Sequence, residues 1–282
     1  MGTVVQRGIP GLLGHHVTGE GEAVLLLNGG LMTIASWEPV AAGLRKSWKV
    51  VGCDFRGQLR SSGEPPPDLE GHMLDVLELM DALGIARAHL AGTSFGALVA
   101  LRLAALHPGR ALSVAAIAAT DHVDAEARKL ILAMRDLALA AAVTTADGDA
   151  PDRGRVLDLL LPHTYTPEYL EAHREMMAFH RQWTAALPDR IFRGLAAMLE
   201  SADGFDVRGW AKEIRCPVLV LAAERDLTFP PERSRALAEA IPGARLEILK
   251  GAPHGVIVEC PEAVLAALLD FLFSLRSADR RR

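Results

Sequence analysis

Short, continuously apolar runs recur along this 282-residue chain, and most are separated by segments with helical spacing. Each run ends near residues typical of turns, such as Gly, Asn, Asp or Pro. Strands covered on both faces of a parallel sheet are apolar at every position, so these runs predict buried parallel strands. The predicted strands are residues 23–27, 48–53, 88–91, 112–117, 217–221 and 245–249.

The segments between these runs have apolar residues at three- and four-residue steps, the spacing of one helix face. One such stripe consists of Leu69, Met73, Val76, Met80 and Leu83. Alternating strands and helices predict the α/β fold class with a doubly wound, mostly parallel sheet. We expect an eight-stranded sheet, in which the residues up to about Gly19 add an antiparallel hairpin at one edge.

One segment interrupts this alternation. From Asp121 to Trp210 the sequence has helical stretches separated by Gly and Pro, and seven of the fourteen aromatic residues lie there. We predict a core of residues 1–120 and 211–282 and a helical cap of residues 121–210, inserted after the sixth strand. An ordinary helical subdomain, with most of these rings in its own core, is the plainer interpretation. It is compatible with an apolar pocket beneath a cap.

Composition and charge narrow the class of protein. The chain is 50% hydrophobic and carries a formal net charge of −5, which argues against a nucleic-acid-binding protein. Cys53, Cys216 and Cys260 are widely spaced and predict free thiols in a reducing compartment. The N-terminus lacks the apolar stretch of a signal peptide, and no run approaches the roughly 18 apolar residues of a membrane span. We therefore expect a soluble, cytoplasmic protein.

Residues 92–96, Gly-Thr-Ser-Phe-Gly, match the G-x-S-x-G pattern of a nucleophile elbow. A predicted strand precedes the pattern and an Ala/Leu-rich helix follows it, so the turn would expose the Ser94 hydroxyl at the end of the sheet. Gly92 and Gly96 occupy positions where such a tight turn leaves little room for a Cβ atom. A serine hydroxyl at neutral pH needs a neighbouring base to become a nucleophile.

The base and the carboxylate that orients it are expected just past other strands, because loops at the carboxyl ends of strands converge. Asp226 follows the run at 217–221, and His254 follows the run at 245–249. The order Ser94, Asp226, His254 is that of α/β-hydrolase triads. Asp121 is a rival for the carboxylate, whereas Glu224 is interpreted as a surface or supporting group.

An oxyanion hole requires two backbone N–H groups aimed at the developing negative charge. One is expected from Phe95, the residue after the serine. The other is expected from the loop after the first parallel strand, at Gly30 or, as second choice, at Leu31. A simple tight turn at residues 28–30 is the alternative interpretation.

With these residues the chain resembles the α/β-hydrolase fold family, in its serine hydrolase branch with a helical cap. Residues 54–57, Asp-Phe-Arg-Gly, also resemble the family's D-x-R-G loop. The resemblance implies a hydrolase that cleaves a small apolar ester, thioester or lactone through an acyl-enzyme. The chain departs from the pattern in two loops: Asn28 stands where many relatives have His, and Gln58-Leu59 stand where many have His-Gly.

Other functions found on this fold differ in the residue at the nucleophile position or share the same triad. Ser94 argues against the dehalogenase and epoxide-hydrolase branches, which have Asp at this position. A hydrolase of carbon–carbon bonds shares the elbow and the triad, so this alternative stays open. A slow-turnover ligand receptor of the same fold also stays open.

No metal or cofactor site is predicted. His15 and His16, and likewise His173 and His180, lack further ligands at useful spacing. The loop at residues 28–32 lacks the third glycine of a dinucleotide-binding motif, so neither NAD nor FAD is expected. The sequence does not predict an oligomeric state.

Overall fold

The structure, a computed structural model, describes residues 13–143 and 151–279. Seven strands of this part of the chain form one sheet in the order β1-β3-β2-β4-β5-β6-β7. β1 pairs with β3 antiparallel, and all other pairs are parallel. The strands are β1 (His15–Thr18), β2 (Ala23–Leu27), β3 (Lys49–Cys53), β4 (Ala88–Thr93), β5 (Ala111–Ile117), β6 (Val218–Ala223) and β7 (Arg245–Leu249).

Helices cover both faces of the sheet, and two short 3₁₀ helices, Ile34–Trp37 and Ala211–Glu213, join loops to it. The α-helices are α1 (Glu38–Leu44), α2 (Leu69–Ala82), α3 (Phe95–Leu106), α4 (Ala125–Ala141), α5 (Arg155–Thr164), α6 (Pro167–Ala172), α7 (Arg174–Ala185), α8 (Asp189–Ala202), α9 (Pro231–Ala240), α10 (Val256–Glu259) and α11 (Pro261–Asp279).

β2 shows why the central strands are apolar throughout. All five of its residues are buried. Leu25 and Leu27 pack into the cluster that contains α2 and α3, whereas Val24 and Leu26 pack into the cluster that contains α1 and α11. Because alternate side chains point to opposite faces, a strand with both faces covered needs apolar residues at every position. The prediction of a doubly wound, mostly parallel α/β sheet is confirmed.

The described sheet has seven strands, and the helical insertion follows β5, the fifth of them. β5 would be the sixth strand if the expected N-terminal hairpin supplied one more. Of the expected N-terminal hairpin, β1 lies at the sheet edge, antiparallel to β3. Its expected partner strand falls within residues 1–12, outside the described residues, so the eighth strand stays a prediction.

The insertion between β5 and β6 contains α4 to α8, and α4 packs against α8. Its two ends meet beside the sheet, because an isolated antiparallel bridge joins His122 to Asp206. The N–H of Val123 also donates to the carbonyl of Phe205 at 2.9 Å. Both ends of the insertion are therefore tied together before the chain returns to the sheet. Within the described part of the chain, no helix is long and apolar enough to cross a bilayer.

Candidate active site

The turn between β4 and α3 holds Ser94 at a φ of +49° and a ψ of −120°. This conformation is rare for a residue with a Cβ atom and costs about 1–3 kcal/mol, so the surroundings must enforce it. A Cβ atom on Gly92 would lie 2.2 Å from the carbonyl oxygen of Gly96. One on Gly96 would lie 2.3 Å from that of Leu27. Both glycines are thus required by close backbone approach.

Ser94, His254 and Asp226 lie in one hydrogen-bonded chain. Nε2 of His254 is 3.0 Å from Oγ of Ser94, and Nδ1 of the same ring is 2.8 Å from Oδ2 of Asp226. A carboxylate only accepts hydrogen bonds, so the ring hydrogen is assigned to Nδ1 and Nε2 is left to accept from the serine hydroxyl. These are the contacts that a serine nucleophile, its base and the orienting carboxylate require.

The surroundings of Asp226 fix its position. Its side chain is 1% exposed, and its second oxygen, Oδ1, accepts the N–H groups of Thr228 and Phe229 at 2.8 Å each. Both carboxylate oxygens are therefore engaged, one by the backbone and one by His254. The ring of Phe229 also contacts the imidazole edge-on, with 5.6 Å between the ring centroids. The imidazole has little freedom to turn away from Ser94.

The two other acidic residues that the sequence singled out lie elsewhere. Asp121 is bonded to the ring of His122 at 2.9 Å and lies 3.6 Å from Arg233. Glu224 is exposed and accepts the N–H of Gly251 at 2.8 Å. Neither contacts His254. The structure thus brings Asp226, and not its rival Asp121, to the histidine.

The loop that carries two of the expected oxyanion donors borders Ser94. A Cβ atom on Gly29 would be 3.5 Å from Cβ of Ser94, so the loop after β2 borders the elbow. Within the described residues, the N–H groups of Gly30, Leu31 and Phe95 have no hydrogen-bond partner. The N–H of Phe95 is also at the N-terminus of α3, where the helix dipole favours negative charge. The elbow and the loop that borders it therefore carry unpaired N–H donors.

The two departures from the family pattern contact each other. Asn28 is fully buried, and its amide nitrogen donates to Asp54 at 2.8 Å and to Gln58 at 3.1 Å. Its oxygen accepts the indole N–H of Trp37 at 3.1 Å. Burial raises the pKa of Asp54, while the N–H groups of Ile34 and Arg60 and the Asn28 amide lower it. Asn28 and Gln58 are thus partners in one buried network.

Residues of the insertion touch the histidine loop, a contact that sequence patterns did not reveal. The N–H of Gly255, directly after His254, donates to the carbonyl of Thr164 at 2.6 Å. A Cβ atom on Gly255 would lie 2.7 Å from Cε1 of Tyr165. Thr166 donates to Glu259 through its N–H at 3.0 Å. The junction of α5 and α6 therefore lies over the loop that carries His254.

The aromatic residues of the insertion divide between interior and surface. Phe192 is buried in the cluster formed by α4, α5 and α8, whereas Phe205 is buried in the cluster that contains α2 and α3. Phe179 and Trp183 on α7 are 63% and 43% exposed. Leu195 of α8 approaches the loop after β2, because its Cδ1 would be 3.5 Å from a Cβ atom on Gly30.

A second serine–histidine contact lies at the opposite end of the strands. Oγ of Ser113 is 2.8 Å from Nδ1 of His89, and Nε2 of that ring is 3.1 Å from Glu22. Ser113 is only 1% exposed, so a substrate carbonyl cannot reach its hydroxyl. Across residues 13–143 and 151–279, no group of three or more His, Cys, Asp or Glu side chains is arranged to hold a metal ion.

Known proteins match this chain over most of its length. The family model for the α/β hydrolase fold matches residues 22–261. A protein of Caulobacter sp. (strain K31), provisionally named carbamate hydrolase RutD, is 32% identical over 245 residues. This match covers 84% of this chain and 85% of that protein.

Solved structures are also similar. The enol-lactonase from Burkholderia xenovorans LB400 has a TM-score of 0.81 and 30% identity, covering 93% of this chain and 96% of that chain. A thermophilic esterase from Thermogutta terrifontis has a TM-score of 0.80 and 25% identity, covering 93% of each chain.

Proposed function

Because this chain belongs to the α/β-hydrolase fold family and is a hydrolase, we propose that it cleaves a small apolar ester, thioester or lactone through an acyl-enzyme on Ser94. His254 is the proposed general base and acid, and Asp226 the carboxylate that orients it. The hydrogen-bonded chain from Ser94 through His254 to Asp226 is the observation that carries this proposal. Its distances are those of a base in reach of its nucleophile and its orienting group.

In the first half-reaction, Ser94 Oγ attacks the substrate carbonyl carbon while its proton passes to Nε2 of His254. Asp226 stabilises the imidazolium ion that forms, through the contact to Nδ1. The tetrahedral intermediate collapses when the bond to the leaving group breaks. His254 returns its proton to the leaving oxygen or sulfur, which leaves an acyl group on Ser94.

The second half-reaction repeats these steps with water. His254 takes a proton from water, the resulting nucleophile attacks the acyl carbon, and the serine oxygen leaves with the proton that the imidazole held. In both steps the N–H groups of Phe95 and Gly30, with Leu31 beside them, are the proposed donors to the oxyanion. Such donors stabilise charge that is absent from the ground-state carbonyl, and each contributes about 10²–10³-fold to kcat.

An apolar acyl group suits the surroundings of these residues. Leu195 approaches the loop at Gly30, and Tyr165 approaches the loop at Gly255. We propose that these two residues of the helical cap (residues 121–210) border the substrate on its two sides. The names of the similar structures, an enol-lactonase and an esterase, point to the same class of bond.

A carbamate is the second candidate substrate, because the curated relative at 32% identity is provisionally named a carbamate hydrolase. The same residues serve this reaction: Ser94 attacks the carbamate carbon, and water releases the carbamoyl group. The leaving group distinguishes the two proposals, so a substrate panel must contain both classes.

The experiment measures binding and turnover by wild-type protein, Ser94→Ala and Ser113→Ala of p-nitrophenyl esters of increasing chain length, thioesters, lactones, aryl carbamates and diketones. Ser113→Ala is the matched control, since it also removes a serine hydroxyl bonded to a histidine ring. We expect Ser94→Ala to lose turnover of every substrate and Ser113→Ala to keep it. Turnover that persists in Ser94→Ala would overturn the proposal. Tight ligand binding without turnover in the wild type would favour a receptor, and cleavage of diketones alone would favour a carbon–carbon bond hydrolase.

A further inference from the structure

The side-chain amide of Gln58 binds two consecutive carbonyl groups of the loop after β2. Its Nε2 donates to the carbonyl oxygen of Gly29 at 2.7 Å and to that of Gly30 at 2.9 Å. The side chain is buried, with 4% of the residue exposed. The sequence identifies Gln58 only as a departure from the family pattern.

The orientation of this amide is chemically unambiguous. Oε1 of Gln58 accepts the N–H of Phe55 at 2.9 Å and the amide of Asn28 at 3.1 Å. A backbone N–H can only donate and a carbonyl can only accept, so the nitrogen of Gln58 must face the two glycine carbonyls. Asn28 is itself held by Asp54 and Trp37. The contacts of Oε1 with Phe55 and Asn28 therefore fix the orientation of the Gln58 amide.

The sheet order determines which way the other side of each peptide points. The strands lie in the order β3-β2-β4, so the loop after β2 lies between Gln58, which follows β3, and Ser94, which follows β4. In a trans peptide the C=O of one residue and the N–H of the next point in opposite directions, and no cis peptide occurs in the described residues. Carbonyls that point towards Gln58 leave the N–H groups of Gly30 and Leu31 pointing towards the side of Ser94.

The two hydrogen bonds from Gln58 matter because the loop contains two consecutive glycines, Gly29 and Gly30. Glycine adopts positive and negative φ about equally readily, so an unrestrained peptide between two glycines can turn over. A flipped peptide presents a carbonyl oxygen, which repels an oxyanion, in place of the donating N–H. We propose that Gln58 is the positioning residue of the oxyanion hole, and that its amide holds the peptides of Gly29 and Gly30 with their N–H partners facing the reacting carbonyl. This role rests on the proposed function of Ser94.

The test uses Gln58→Glu, which has the shape of Gln58 and keeps an oxygen for Phe55 and Asn28. Its ionised carboxylate places a second oxygen, without hydrogens, against both glycine carbonyls, whereas the protonated acid still donates to one of them. Gln58→Met is a second variant, which removes the donor without adding charge. Ser61→Ala is the matched control: its buried hydroxyl donates to the carbonyl of Asp54 in the same loop and contacts neither glycine. Thermal melting of all variants reports any general loss of stability.

Two readouts separate a positioning role from a structural one. Crystal structures of Gln58→Glu and Gln58→Met are expected to differ from that of the wild type in the peptide planes of Gly29–Gly30, with Ser94, His254 and Asp226 unmoved. Kinetics on the best ester are expected to show kcat lowered by about 100-fold, the effect of losing one oxyanion donor, with KM changed by less than about threefold. Ser61→Ala is expected to keep its kcat while melting at lower temperature.

A peptide orientation that is unchanged in Gln58→Met, or a kcat of Gln58→Met equal to that of Ser61→Ala, would overturn the proposed role of Gln58. The structural readout does not require turnover. Wild-type protein that hydrolyses nothing would therefore contradict the proposed function of Ser94, while the peptide orientation still tests the proposed role of Gln58.

Discussion

His72 makes the stability of this protein depend on pH in a way that can be measured. The residue lies on α2, is fully buried, and neither of its ring nitrogens has a hydrogen-bond partner in the described part of the chain. Its ring contacts Phe55 and Phe95 edge-on, with centroids 5.6 Å and 5.1 Å away. Burial, together with the charge of Arg56, lowers the pKa of His72 from 6.5 to about 4, while Asp68 raises it.

The direction in which the free energy of unfolding changes with pH follows from proton binding at His72. Between pH 4 and 6.5 the unfolded chain binds a proton at His72 and the folded chain does not, so the free energy of unfolding falls as the pH falls. From pH 7 to pH 5, these two pKa values give a loss of about 2 kcal/mol from this residue alone. Other groups, such as His89, whose pKa burial also lowers, contribute to the total slope.

A His72→Leu variant isolates the contribution of His72 to the pH dependence of stability, because Leu fills a similar volume and does not titrate. Urea unfolding of wild type and His72→Leu at pH 7 and pH 5 gives the difference between the two pH dependences. We expect the wild type to lose about 2 kcal/mol more than the variant over this range. Equal losses in both proteins would show that His72 titrates normally in the folded state, and would refute the inference that its burial and lack of partners keep it neutral.

Two further predictions concern the elbow and its carboxylate. Asp226→Asn is expected to lower kcat about 10⁴-fold in the ester assay, because the asparagine amide donates to His254 and favours the tautomer with hydrogen on Nε2. Its circular dichroism spectrum is expected to be unchanged. A fall in kcat of less than tenfold would contradict the orienting role of Asp226. The free energy of unfolding of Ser94→Gly, measured with urea, is expected to exceed that of Ser94→Ala by about 1 kcal/mol, since glycine accepts the φ of +49° without strain. An equal or lower value would contradict stored strain at the elbow.

The sheet was readable from the sequence because its central strands are apolar at every position. Each predicted strand lies within two residues of the observed one at both ends. The proximity of Ser94, Asp226 and His254 was readable for a related reason: each follows a strand of one parallel sheet, and such strand ends share an edge. The prediction that they act as a triad rests on their chemistry, and covalent trapping of Ser94 tests it.

Contacts between loops were not readable in this way. Asn28 and Gln58 stood out as unusual residues, yet no spacing rule shows that two amides 30 positions apart share a hydrogen bond. The contact of Thr164 with Gly255 joins segments that no periodicity relates. Exposure within the helical insertion was equally hidden, since Phe179 lies on a surface and Phe192 in a core although both occupy amphipathic helices.

Covalent trapping is the most direct test of Ser94 as the nucleophile. Protein treated with diethyl p-nitrophenyl phosphate is digested, and the modified peptide is located by mass spectrometry. We expect one diethylphosphoryl group per chain, on Ser94, absent from Ser94→Ala and formed far more slowly in His254→Ala. An adduct on another residue, or ester turnover that continues in protein fully modified at Ser94, would contradict it.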